Sequence, residues 1–431
     1  MSDNQQAFAN PLLERSAFDS DAESDMVLCV IPSEGYPVRF VVPAIYMELV
    51  QKFNGQRTED GAIAAFLDDH PGSFEREWLK RLVHQSLFPK GILVRADQDP
   101  ARVVVSSQPK RGLLFLKLPI IPAQIVDVIA KNLRFMYSRI ATSIFLALFV
   151  WTHIYIYTEI FEQNGINANN LAIRDVLILM VVSTFATLFH EFGHASAAAR
   201  FGCKSMTIGW GVYIIYTVLW TDVSDAWRLP RHQRAIVDIS GVYFEGIFAI
   251  AVSFFYIYTN NNVFLIAIMF INISMVYNFN PFLKMDGYWL MSDLFGIVNL
   301  RSQQWAWIQN MVSRFFGSAV STSDNLRPRA KLALAIYSGV GSIAFIYFMF
   351  LFFKFVVFSV AAGYPELVVK YWENLFAGLS FIALLEGFLE ILWRTIVLAG
   401  AAVSIFGVFK RGVDIVAKAG LLRAAARQSS V

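Results

Sequence analysis

Six apolar stretches, at about 140–160, 174–199, 235–258, 263–281, 332–360 and 375–407, constrain this chain more than any other feature. Each supplies the roughly 20 residues that a helix needs to cross a bilayer. Inside lipid every backbone N–H and C=O must find its partner within the segment, so such stretches fold as helices. With 56% hydrophobic and 16% charged residues and a mean hydropathy of +0.50, the composition is that of a multi-pass membrane protein. The formal charge of +3 is too small and too scattered for nucleic-acid binding, so the expected surroundings are lipid and peptide. Cys29 and Cys203, the two cysteines, provide neither a disulfide framework nor a Cys-based metal site.

The positive charges divide the loops into two sets. Lys110, Arg111, Lys117, Lys131, Arg134 and Arg139 precede the first span. Arg200, Lys204, Arg228, Arg231, Arg234, Lys284, Arg301, Arg327, Arg329, Lys331, Lys410 and Arg411 fall in every second loop after it, whereas 161–173, 259–262 and 361–374 are poor in Lys and Arg. By the positive-inside rule this predicts six spans with both termini in the cytoplasm. No internal repeat supports a transporter built from inverted halves.

Ahead of the spans, residues 1–25 are polar and acidic, with neither a cleavable signal nor apolar periodicity, and read as a disordered arm. Met26–Ile31 and Val38–Val42 read as strands around the turn-prone 32–37. Helices follow over 44–53, 59–67 (capped by Thr58) and 73–87 (capped by Ser73), with a closing strand or wing at Lys90–Val94. The chain therefore parses into an α+β domain at 26–95, a connector at 96–138, a membrane core at 139–300, a cytosolic loop at 301–331, and C-terminal spans with a basic tail at 332–431.

Within the second span stands Phe189-His190-Glu191-Phe192-Gly193-His194. Two His at i and i+4 share one helix face, which lets both imidazoles reach one Zn²⁺ while the adjacent Glu holds a water. Three ionisable groups in a lipid-embedded helix are costly and mark a functional site. Gly202 reads as the helix end; His190 lies 12 residues earlier, or ~18 Å at ~1.5 Å per residue. A catalytic zinc takes a third protein ligand. His153, Glu245, Glu386, Glu390 and Asp286 are candidates. Asp286 is the best placed, because Pro281 breaks the fourth span and lets Asp286-Gly287 return at similar depth. Between spans two and three, Met206–Trp220 is β-branched and aromatic, interrupted by Gly209 and Gly211, and reads as a strand or hairpin. A strand edge beside the HExxH helix would let an extended substrate pair there.

The HEFGH motif together with Asn278-x-x-Pro281-x-x-x-x-Asp286-Gly287 resembles the site-2 protease family of intramembrane zinc metalloproteases. Asp222–Pro230 and Phe282–Leu294 are similar to its bacterial branch of peptide zinc metalloproteases, which often carry a PqqD-like winged-helix domain. The pattern over 26–94 resembles such a domain. The resemblance implies zinc held by His190, His194 and Asp286, with Glu191 as general base and Asn278 holding the substrate strand. It further implies a bacterial inner-membrane enzyme whose PqqD-like domain binds a leader peptide by strand addition at Val38–Val42, beside the helix from about Ser73 to Leu87. Gly241-Val242 departs from the Gly-Pro that is common in the family, and Glu245 stands nearby. The expected activity is cleavage of the precursor of a ribosomally made, modified peptide. Regulated proteolysis of a membrane-anchored regulator and a non-catalytic export or immunity role are the rival expectations.

Overall fold

The computed structural model describes residues 6–20, 25–31, 38–100, 114–162, 173–204, 206–213, 216–280, 283–315, 326–377 and most of 380–407. The chain divides into two compact units. The larger takes in residues up to Phe279 together with Lys284–Val298 and Asn325–Ala330, and the smaller takes in the remainder.

The N-terminal domain begins earlier than its hydrophobic pattern announces. Strands β1 (Gln6–Ala9) and β2 (Glu14–Phe18) lie where a disordered arm was expected. They precede β3 (Met26–Ile31), β4 (Val38–Pro43), α1 (Ala44–Lys52), β5 (Asn54–Thr58), α2 (Glu59–Asp69), α3 (Arg76–Leu82) and β6 (Leu93–Arg95). β1 is the central strand between β5 and β6, while β2, β3 and β4 form an antiparallel meander. Four- and five-residue strands are too short for alternation to stand out. Their burial is nonetheless complete in places: Ala7 joins the core of Val50, Phe53, Phe66, Leu79, Val83 and Leu93, and Asn10 Nδ2 donates to Gly91 O at 2.9 Å. Thr58 caps α2, its Oγ1 accepting from Gly61 N at 3.2 Å. α3 starts at Arg76 without a side-chain cap, so Ser73 does not serve as one, and a π-turn carries the chain over Val83–Leu87.

The expected connector contains β7 (Leu114–Ile121) and α4 (Ala123–Leu133). Then come α5 (Arg139–Glu162), α6 (Ile173–Arg200), β8 (Ile208–Tyr213), β9 (Tyr216–Thr221), a 3₁₀ turn at Ser224–Arg228, α7 (Arg231–Thr259), α8 (Asn262–Tyr277) and α9 (Asp286–Leu294). Among the described residues three helices are long and apolar enough to cross a membrane: Arg139–Ile160, Arg174–Arg200 and Arg231–Thr259. The fourth expected span is the 16-residue α8, just under the usual crossing length.

In the smaller unit, α10 (Leu300–Phe315) occupies half of the expected cytosolic loop. α11 (Pro328–Phe352) and α12 (Phe358–Phe376) follow. The loop expected at 361–374 is thus helical, with Pro365 inside it. A run poor in Lys and Arg signals sidedness and not backbone conformation, and the apolar pattern there is compatible with helix.

The hairpin read from Met206–Trp220 is present, with β8 at the centre of the sheet β7-β8-β9. Gly209 is opposed by Pro119 on one side and Trp220 on the other, and a Cβ there would lie 2.3 Å from the Trp220 ring. The backbone of β8 is therefore used on both sides. Gly209 and Gly211 do not lie on an open edge; that edge, beside the HExxH helix, belongs to β9.

Candidate metal centre

The site is built where α6 crosses α7. A Cβ on Gly193 would lie 2.2 Å from Ser240 O, so only glycine permits this approach of the two helices. The approach brings α7 over the HExxH face. Tyr137 fixes the same turn from outside, its hydroxyl donating to Gly193 O at 2.8 Å and lying 3.1 Å from Ser196 Oγ. Burial pushes the Tyr137 phenol up to about 12, so it remains a donor at any ordinary pH.

His190 and His194 meet Asp286 from the first turn of α9. His190 Nε2 is 2.8 Å from Asp286 Oδ2, His194 Nε2 is 3.4 Å from the same oxygen, and the two Nε2 atoms are 3.2 Å apart. Asp286 arrives there because Gly287 N donates to Asn278 O at 2.9 Å, closing the turn after α8. A Cβ at Gly287 would lie 2.6 Å from Phe279 Cα, so the close return of the chain requires glycine. These three residues are the His, Cys, Asp or Glu group among the described residues that could hold a metal ion.

The outer ring nitrogens decide what the inner ones offer. His194 Nδ1 is 2.8 Å from Val237 O. A carbonyl only accepts, so that nitrogen carries the proton and Nε2 of the neutral ring presents a lone pair. His190 Nδ1 lies 3.2 Å from Glu245 Oε2, an arrangement that gives His190 the same tautomer when Glu245 is ionised. In those tautomers two lone pairs and a carboxylate oxygen face one another, and the buried Asp286 Oδ2, 2.8 Å from a bare His190 Nε2, has no proton to accept. Protonating one imidazole would satisfy part of this cluster at the cost of a buried cation. A divalent ion satisfies all three donors at once, and the separations approach the edge of about 3.3 Å in a tetrahedron with metal–ligand distances of about 2.0 Å.

Gly241 on α7 keeps that volume open. A Cβ added there would sit 2.5 Å from both Nε2 atoms. Glu191, also buried, lies one residue past His190, with its Oε2 2.6 Å from Thr221 Oγ1. Thr221 is the last residue of β9, which among the described residues pairs on one side only. The open strand edge therefore ends at the carboxylate.

The structure brings together His190, Glu191, His194 and Asp286, with Asn278 at the turn that delivers Asp286. Of the other ligand candidates, His153 is bound instead to Phe149 O and Asn272 Oδ1, and Glu390 pairs with Arg394. Glu245 reaches the outer nitrogen of His190 and is not a third ligand to the centre. Glu386 and Pro281 lie outside the described residues. Thr221, Gly241 and Tyr137 escaped the sequence reading; only the Gly-Val departure at 241–242 pointed toward one of them. Comparison of the chain with protein-family models, with curated proteins and with solved structures returns no match.

Proposed function

We propose that this chain is an intramembrane zinc-dependent endopeptidase of the bacterial cytoplasmic membrane, acting on the precursor of a ribosomally made, modified peptide. The observation that carries the reading is the convergence of His190, His194 and Asp286, with lone pairs inward and Glu191 alongside. His190, His194 and Asp286 would hold the ion. Zn²⁺, when bound, polarises a scissile carbonyl and acidifies the attacking water. Glu191, oriented by Thr221, takes the proton of that water as its oxygen bonds to the carbonyl carbon. The same carboxyl then returns the proton to the amide nitrogen as the C–N bond breaks.

A substrate must be extended to expose its carbonyl, because a helical peptide bond hides it in the helix's own hydrogen bonds. The open edge of β9, ending at Thr221 beside Glu191, is where such a strand would pair. The N-terminal domain favours a peptide precursor over a membrane-anchored regulator, since its β4, paired only to β3 among the described residues, offers a second strand edge for a leader.

The test is to co-express the chain with small precursor peptides and read their masses. Cleavage by the wild type, with Glu191→Gln retaining zinc but slowed by about 10²–10⁴-fold, is the expected result. Normal processing by Glu191→Gln would remove the base from this scheme. Cleavage of an anchored regulator with every precursor left intact would replace the substrate.

A further inference from the structure

Arg234, near the start of α7, is buried to 4% exposure and is bound on several sides. Its Nε donates to Asp293 Oδ1 at 2.7 Å, Nη1 to Leu229 O at 2.8 Å, and Nη2 to Asp19 O at 2.9 Å. The guanidinium also lies 4.2 Å over the Phe18 ring, which itself packs against Trp227 at 6.4 Å. Arg231 N adds a bond of 3.0 Å to Asp19 Oδ2. Phe18 ends β2, an outer strand of the N-terminal meander. Asp293 stands on the same short helix as Asp286, seven residues on, or about 10 Å along its axis. Val237, whose carbonyl holds His194, follows Arg234 by three residues on α7. A single guanidinium thus joins the N-terminal sheet to the helix of one donor and the helix anchoring another. Its planar fork, engaging three acceptors at once, is a geometry that lysine cannot reproduce.

We propose that Arg234 is a positioning residue that couples seating of the N-terminal domain on the membrane core to the placement of Asp286. The inference rests on the reading of Asp286 as a metal ligand but not on the reaction carried out there. Coupling between two sites is reciprocal. Releasing β2 loosens α9, and filling the metal centre protects β2.

The experiment uses the full chain in nanodiscs, with hydrogen exchange at 14–18 and 286–294 and the rate of Zn²⁺ release to a chelator as readouts. Phe18→Ala removes the ring beneath the guanidinium and touches neither Asp293 nor any donor. It is expected to raise exchange in both segments and to speed zinc release about 5-fold or more. Arg234→Lys, which keeps the charge and loses the fork, should behave alike, while Leu12→Ala in the same arm should leave 286–294 unchanged. Zn²⁺ added to the wild type should slow exchange at 14–18. Faster exchange at 14–18 in Phe18→Ala with 286–294 and zinc release unaltered would overturn the coupling, as would an Arg234→Lys chain indistinguishable from wild type. A chain showing the coupling but cleaving no peptide would remove the peptidase reading and leave this one standing.

Discussion

The N-terminal domain buries few polar residues, Asn10 on Gly91 O and Glu59 beside His84 among them, whereas the α6–α7–α9 crossing concentrates them. In the N-terminal domain ion pairs such as Lys80–Asp60 and Lys52–Asp69 lie toward the surface, around a core of Phe53, Phe66, Leu79 and their neighbours. Exposed pairs of this kind contribute little, so burial of apolar area holds that domain together. At the crossing, His190, Glu191, His194, Arg234 and Glu245 are all buried. Each has a named partner, and an unpartnered buried polar group costs about 1–3 kcal/mol or more. The difference teaches where to look for chemistry: one region is arranged for cohesion, and the other accepts a cost in cohesion to hold charges in place.

Substitutions can break that contrast, and the largest effect belongs to the smallest side chain. Gly241→Ala places a methyl 2.5 Å from both Nε2 atoms and is expected to abolish metal binding while the chain still folds, as read by metal content and circular dichroism. A Gly241→Ala protein with full metal content would show that the donors do not meet beneath Gly241. Next, Phe66→Ala in the N-terminal core should destabilise that domain by about 3–5 kcal/mol in urea and leave metal stoichiometry unchanged. The coupling through Arg234 should show in that variant only as faster release of the ion; a chain unable to hold one ion at saturating zinc would mean that the donors depend on the N-terminal core for their assembly. Third, Glu245→Ala should weaken metal affinity about 10–100-fold by freeing His190 Nδ1, and Glu245→Gln should recover most of the loss because its carbonyl still accepts. Equal loss in both would point to charge, and not orientation, as what Glu245 supplies. A last prediction leaves the metal centre untouched and concerns Cys29, whose thiol burial pushes up to about 11 even though Arg15 and Lys90 pull the other way. Alkylation at pH 8 should therefore run about 100-fold slower than for a free thiol and rise with pH through that value.

Much of this was legible in the chain. The HExxH motif, Asp286-Gly287, the hairpin across 208–221 and the strand pair at 26–43 each carry a local signal: helical i,i+4 spacing, an Asp-Gly turn, or β-branched alternation. Elements defined by distant partners were not legible. β1 owes its existence to β5 and β6, some fifty to ninety residues away, and no property of residues 6–9 alone announces it. Thr221 and Gly241 likewise reach the His190–Glu191–His194 face only because α6 packs against both β9 and α7. Glu245 was visible as a polar residue in an apolar helix, but which nitrogen it faces depends on the rotation of α7 about α6.

The most direct test of the central claim is metal analysis of the purified full-length wild type beside Asp286→Ala. The account predicts one zinc per wild-type chain and loss of that zinc in the variant, with the fold retained. A wild type free of divalent metal after growth in zinc, or an Asp286→Ala protein that keeps its ion, would contradict it.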